Sequence, residues 1–182
     1  MFEHRFYFLR HGETEWNKTH KTQGQLNSQL NATGRGQAER AAEALKNEPI
    51  ARIVASPLDR VRDTAQVVAR FHNVDLTFDD ALMECHLGDH QGQPHGPWLA
   101  QYWEGRHDPP NGETFADFVE RVWAAMVRAA ALGPNTLIVA HGGLWRAAHE
   151  RVRIRPVVLP MPNALPLRIE PTAAEWSVTQ LL

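Results

Sequence analysis

The stretch "FYFLRHGETEWN" (residues 6–17) is aromatic and aliphatic for four residues, then turns into Arg10-His11-Gly12 and a polar tail. A strand with one face in water alternates apolar and polar side chains. A run that is apolar at every position belongs to a strand covered on both faces. In sheets covered by helices on both faces, ligands bind beyond the carboxyl ends of the strands. Two cations placed directly after such a strand therefore stand at the rim where chemistry is done.

Working outward, the same pattern recurs. Strands are expected at residues 5–9, 52–55 and 136–140, with strand-like pieces at 165–169 and 176–181. Between them lie helical periodicities. Ala38, Ala41, Ala42 and Leu45 follow Thr33 as a candidate N-cap, and Leu58, Val61, Ala65 and Val68 follow Ser56-Pro57-Leu58-Asp59, which reads as cap, first-turn proline and capping-box acid. Thr114 with Asp117 repeats the capping pattern before Phe115, Phe118, Val119, Val122 and Met126. A further helix is expected over about 144–151. The alternation predicts an α/β fold, a three-layer sandwich whose mainly parallel sheet carries helices on both faces. Residues 1–182 read as a single domain. A lid or insertion is expected at about 85–112, where Trp98, Tyr102 and Trp103 mark one face of a short helix packed on the core.

Composition narrows the function classes. A chain of 182 residues with 43% hydrophobic content can bury one substantial core, and its formal charge of -2 offers no general attraction for nucleic acid or an anionic membrane. Neither partner is expected. One cysteine, Cys85, leaves no internal disulfide and fits a reducing compartment. Charges interrupt the first residues, and no apolar run reaches membrane-spanning length, so a cytoplasmic protein is expected. The oligomeric state leaves no trace in the sequence.

Three strand ends are expected to converge: Arg10-His11-Gly12, Ser56 with Arg60 just beyond, and His141-Gly142-Gly143. Arginine presents a planar fork of donors that matches phosphate oxygens and holds its charge at neutral pH. Helix N-termini near Ser56 and Gly142 would add oriented N–H groups. An imidazole among these cations is held neutral and offers a lone pair, so it can act as a nucleophile.

The motifs "LRHGETEWN", "TQG", "SPLDRVRDTA", "LMECHLGDHQG", "PPNGETFADFVERV", "VAHGG" and "PNALPLRIE", in that order, give the chain a resemblance to the histidine phosphatase superfamily. That group includes cofactor-dependent phosphoglycerate mutases, small broad-specificity phosphatases and α-ribazole phosphatases. The resemblance implies a phosphoglycerate mutase-like fold, His11 as the phosphorylated residue, and Glu84 as proton donor. It also implies Arg10, Arg60 and His141 as phosphate ligands, with Asn17, Gln23, Gly24 and Gly142 closing the pocket. No metal and no cofactor are implied, and the partner is a small phosphorylated metabolite. The chain departs from its relatives in two places. "G-x-W-E-G" is replaced by Gly88-Asp89-His90-Gln91-Gly92, and Asn27 stands where an aspartate is common.

Three functions remain open: hydrolysis of a phosphate monoester through phosphohistidine, phosphoglycerate mutase-type transfer, and binding of phosphorylated ligands without catalysis. A shorter segment between Glu84 and the last histidine strand, and Thr22-Gln23-Gly24 in place of "T-G-W", set the chain apart from the mutases. No phosphate-binding loop ending in Lys-Ser or Lys-Thr is present, and Gln91 occupies the position where a cysteine phosphatase built on Cys85 needs arginine. His86 and His90 with Asp89 have a metal-like spacing, but Gly88 and Gly92 break the helix it requires. The alternative for either histidine is a cationic contact to substrate, and the plain one is a polar loop.

Overall fold

The computed structural model describes residues 2–172 and 174–182; Met1, part of the charged start on which the cytoplasmic expectation rests, lies outside them. Its sheet has seven strands in the order β3-β2-β4-β1-β6-β7-β5. These are β1 (Phe6–Arg10), β2 (Arg52–Ala55), β3 (Leu76–Phe78), β4 (Thr136–Ala140), β5 (Arg153–Arg155), β6 (Pro166–Pro171) and β7 (Glu175–Gln180). β1, β2, β3 and β4 pair in parallel, as do β5 and β7, and β6 runs antiparallel to both of its neighbours. The mainly parallel α/β architecture expected from the sequence is therefore the one formed.

The continuous apolar run of β1 is explained by two cores. Phe6 and Phe8 join Ile138 and Ala140 of β4 in a core closed by α5 (Phe115–Ala131) and α6 (Gly142–His149). Tyr7 and Leu9 join Leu137 and Val139 in a second core, closed by α2 (Ala32–Leu45) and α3 (Asp59–Ala69). Helix layers thus cover both sheet faces. Each fully buried large side chain in these layers contributes about 1.5–3 kcal/mol relative to exposure.

Two helix starts differ from expectation. The cap of α2 is Asn31, whose side chain accepts from Gly34 N, and not Thr33. α3 begins at Asp59 with Leu58 as its cap and no side-chain cap bond. Ser56 was the expected cap, but its hydroxyl lies 3.5 Å from Leu58 N and 2.9 Å from His141 Nε2. The tertiary contact is the shorter of the two, and it satisfies a ring nitrogen of fully buried His141, where an unmade hydrogen bond is costly. The helix expected over 144–151 starts at Gly142 and ends at His149. Thr114 caps α5 as expected, accepting from Asp117 N. Three short elements escaped the sequence reading: α1 (Glu15–Lys18), β3 and β5. Between β3 and α5 run two single 3-10 turns and α4 (Pro97–Trp103).

Candidate active site

Strand register brings the site together. Arg10 pairs with Ala140 and Ala55 with Val139, so the residues that follow three adjacent strands emerge at one level. His11 N donates to Ala140 O at 3.0 Å, and Ser56 N to Val139 O at 3.1 Å. The loop before β6 closes the remaining side: Ala164 N donates to Arg10 O at 3.1 Å, Asn163 Nδ2 to His11 O at 3.0 Å, and Arg10 Nη1 to Met161 O.

After His11 the chain lies directly on the first turn of α2. A Cβ on Gly12 would fall 2.4 Å from Gly34 O, and one on Gly34 would fall 2.0 Å from Glu13 O. Only glycine at both positions permits that approach. Gly12 N donates to Thr64 Oγ1 at 3.1 Å, which ties the loop to α3 as well.

Arg10, His11, Asn17, Gln23, Gly24, Arg60, Glu84 and Gly142, all singled out from sequence, line one cavity of about 270 Å³. His141 is not on its wall. It is fully buried behind it, with its ring centroid 5.3 Å from that of His11.

The imidazole of His11, 2% exposed, has its Nδ1 2.7 Å from Gly12 O. A carbonyl can only accept, so Nδ1 carries the proton and Nε2 keeps its lone pair. Burial, then the charges of Arg60 and Arg10, hold this histidine well below its ordinary pKa. Burial and the same arginines, with His11, do likewise to His141. Arg60 is pushed down to about 10, chiefly by burial, and remains a cation at neutral pH.

Arg60 is anchored by Nη2 to Gly24 O at 2.8 Å and by Nη1 to Leu26 O at 3.0 Å. Three buried polar atoms around the site, Arg10 Nε, Arg60 Nε and His141 Nδ1, have no hydrogen-bond partner among the described residues. Buried groups of this kind are rarely left unpaired without a ligand to satisfy them. The inventory suits a tetrahedral anion next to His11 Nε2.

Asn17 and Gln23 are oriented by Thr14, the cap of α1. Asn17 Oδ1 accepts from Thr14 N at 3.1 Å, and Gln23 Oε1 lies 3.0 Å from the Thr14 hydroxyl. Their oxygens are thereby occupied, and their amide N–H₂ groups are the ends left for a ligand.

Glu84 sits against the start of α6, its Oε2 accepting from Gly143 N at 3.1 Å and its Oε1 from Cys85 N at 3.0 Å. A Cβ at position 143 would fall 2.1 Å from Oε1. The backbone behind Glu84 is gripped by Arg121 of α5, which donates to Ala81 O, Met83 O and Glu84 O at 3.0–3.3 Å. Arg121 also forks onto Glu113 at 2.7 and 2.8 Å. Burial pushes the neighbouring Cys85 thiol well above its ordinary pKa, so it is no nucleophile.

The sequence did not mark Arg121, Glu113, Thr14 or Asn163, nor Lys21, Arg146 and Met161 of the outer wall. That wall includes Lys21, His95, Leu99, Trp103, Arg146 and Met161. Glu113, just before the cap Thr114, and Arg121, within the helix eight residues on, were the available signal. The expected lid segment does contribute Leu87, His95, Leu99 and Trp103 to the wall. His86 and His90 do not reach it. His90 instead stacks on Trp98 at 3.9 Å and sits 2.9 Å from His107, Nε2 to Nε2. Tyr102 packs in the core as expected, and Trp103, packed against that core as well, also faces the cavity. No group of three or more His, Cys, Asp or Glu among the described residues is arranged to hold a metal ion. Among them, too, no helix is long and apolar enough to cross a membrane.

The chain is similar to several known proteins. A probable phosphoglycerate mutase GpmB of Salmonella arizonae is 34% identical over 171 residues, 82% of this chain and 80% of that protein. A mycobacterial glucosyl-3-phosphoglycerate phosphatase, solved with VO3, superposes with a TM-score of 0.82 at 29% identity over 98% of both chains. A putative α-ribazole-5'-P phosphatase from Escherichia coli shares the fold with a TM-score of 0.80 at 21% identity, over 97% of this chain and 95% of that one. Residues 6–180 match the family described as the histidine phosphatase superfamily (branch 1), and the chain belongs to that superfamily.

Proposed function

We propose that the protein is a metal-independent phosphatase that hydrolyses a small phosphorylated metabolite through phosphohistidine at His11. The observation that carries this reading is the 2.7 Å contact of His11 Nδ1 with Gly12 O inside a cationic, buried pocket. It directs an unprotonated Nε2 at the space bounded by Arg10 and Arg60.

In the first step the Nε2 lone pair attacks phosphorus in line and the P–O ester bond breaks. Its electron pair stays on the leaving oxygen, which takes a proton from the Glu84 carboxyl. Arg10 and Arg60 hold the non-bridging oxygens, where most of the negative charge resides, the start of α6 adds to that field, and His141 supports the site from behind its wall. In the second step the Glu84 carboxylate removes a proton from water. The resulting oxygen bonds to phosphorus, the P–N bond breaks with its pair returning to Nε2, and inorganic phosphate leaves. Residues 85–112, which supply part of the outer wall, act as the substrate-selecting lid.

A mutase reading is favoured by the name of the Salmonella relative. It differs only in the fate of phosphohistidine, which is returned to a second hydroxyl instead of water. The experiment is phosphate release from p-nitrophenyl phosphate and a panel of alkyl phosphates in EDTA, with His11→Ala as control. Release by the wild type alone supports the phosphatase. Exchange between phosphoglycerate isomers without net release supports the mutase, and loss of release in EDTA refutes metal independence.

A further inference from the structure

Two half-buried imidazoles, those of His90 and His107, take no part in the phosphoryl site and do not line its cavity. His90 closes the 3-10 turn Gly88–His90, and His107 follows α4. They therefore stand at opposite ends of the segment that lends His95, Leu99 and Trp103 to the cavity wall. The sequence spacing pairs His90 with His86; the fold sets His107 beside it instead, Nε2 to Nε2 at 2.9 Å. Zinc binds imidazole nitrogen at about 2.0–2.1 Å, so two such ligands on a tetrahedral ion stand about 3.3 Å apart at nitrogen and about 5.2 Å apart at the ring centres. The centroids of His90 and His107 are 5.1 Å apart. The rings are already at the spacing an ion requires, and only their nitrogens must part by a few tenths of an ångström. Trp98, stacked on His90 at 3.9 Å, keeps that ring in place. Asp89 and Asp108, each next to one histidine in the chain, supply negative charge, Asp89 near enough to favour a cation at His90. The adjoining Arg106 is paired with Glu104.

We propose that His90 and His107 bind one divalent transition metal ion of the zinc class, which staples together the two ends of residues 91–106. Imidazole suits zinc, copper and nickel. With two protein nitrogens and water in the remaining positions, the ion exchanges with solvent and differs from a closed structural centre, which takes four protein ligands. It replaces one hydrogen bond between the rings by two metal–nitrogen bonds, and so ties the wall-forming segment to the turn that precedes it. The site lies apart from His11 and contributes nothing to phosphoryl transfer, so it is compatible with turnover in EDTA.

The test is titration calorimetry with zinc chloride on protein stripped with EDTA and dialysed into a buffer that does not chelate. Wild type and His11→Ala should each take up one ion with the same affinity. His90→Ala or His107→Ala should weaken binding about tenfold or more, since loss of a group that merely orients a ligand already costs about 10- to 100-fold. His4→Ala, which removes an exposed histidine elsewhere, should leave it in place. Amide hydrogen exchange over residues 91–106 should slow when zinc is added to wild type and not when it is added to His107→Ala. No uptake of zinc, uptake unchanged in both variants of the pair, or an equal loss in His4→Ala would overturn the proposal. Loss of binding in His11→Ala would do so too, by placing the ion in the phosphoryl pocket. Exchange that zinc does not slow in wild type would refute the staple. If His90→Ala fails to fold without its stack on Trp98, His107→Ala decides alone. Because no turnover is measured, a wild type that releases no phosphate refutes the phosphatase reading and leaves this comparison standing.

Discussion

Acidification from about pH 7.5 to about pH 5.5 should raise the unfolding equilibrium constant about a hundredfold, about 3 kcal/mol, through His11 and His141 alone. Both are buried and held neutral, His11 by burial and then Arg60 and Arg10, His141 by burial and then Arg60, His11 and Arg10. In the unfolded chain each titrates near its ordinary value of about 6.5. Above that value neither state binds the proton and stability does not depend on it. Below it the unfolded chain takes up protons that the folded protein refuses, so stability is lost as the pH falls from the unfolded pKa towards the lower folded one. Across a window centred on about 6.5 the unfolded state gains about tenfold per histidine. The downward shifts of His72, His90, His95 and His149 have the same sign and add to the loss. Guanidinium titrations across this range, on wild type and His11→Gln, isolate the His11 share. The variant should lose about tenfold less, because glutamine has no proton to refuse. An identical slope in the two proteins would mean that His11 is protonated in the native state, and the neutral-nucleophile mechanism would fall with it. The kinetic counterpart is an acid limb of kcat/KM that shows no break from His11 near its ordinary pKa.

Two further predictions concern the acid and its support. Glu84→Gln should slow phosphorylation of His11 by alkyl phosphates about 10²- to 10⁴-fold in single-turnover experiments, and by p-nitrophenyl phosphate much less, since a nitrophenolate leaves without a proton; equal losses would exclude Glu84 as donor. Arg121→Met should lower the unfolding free energy by about 2–4 kcal/mol, because it strands the Glu113 carboxylate, only 15% exposed, and frees three carbonyls. Arg121→Lys should recover only part of that, having one charge but no fork, and a loss below about 1 kcal/mol in denaturant titration of Arg121→Met would show the grip on the Glu84 backbone to be dispensable.

The central part of the fold was legible because β1, β2 and β4 are buried on both faces and say so residue by residue. The short edge elements were not. β3 carries two exposed residues in three, and β5, Arg153–Arg155, places one buried isoleucine between two exposed arginines, so neither gathers enough apolar sequence to stand out. The two displaced caps have different causes. Asn31 and Thr33 are both competent caps two residues apart, and only the lie of the loop on Gly34 selects Asn31. Ser56 has the right local chemistry and is taken away by a partner 85 residues distant. Arg10, His11 and His141 were legible because they end or follow strands, whereas Asn17, Gln23, Gly24 and Glu84 came only from the family resemblance. Lys21, Leu99 and Arg146 were not, since nothing local marks a lysine in a loop or an arginine on a helix as facing a cavity.

The departure at Gly88-Asp89-His90-Gln91-Gly92 shows how a changed motif can leave the inner site intact. Gln91 Oε1, in place of a carboxylate oxygen, accepts from Gln25 N at 2.7 Å and lies where a Cβ on Gly24 would be, 2.2 Å away. Gly24 has a φ of +52°, which glycine adopts at little cost. That turn aims the Gly24 carbonyl at Arg60 Nη2. The amide therefore supports the turn by hydrogen bonding without placing another negative charge near the arginine that must meet phosphate. His90, where relatives have a tryptophan, stacks on Trp98. Gln91→Glu would keep the acceptor and add a charge close to Arg60, so it should weaken phosphate binding while leaving the fold unchanged. A variant that binds inorganic phosphate as tightly as wild type would show that charge at this position is immaterial, and that the departure carries no electrostatic meaning for the site.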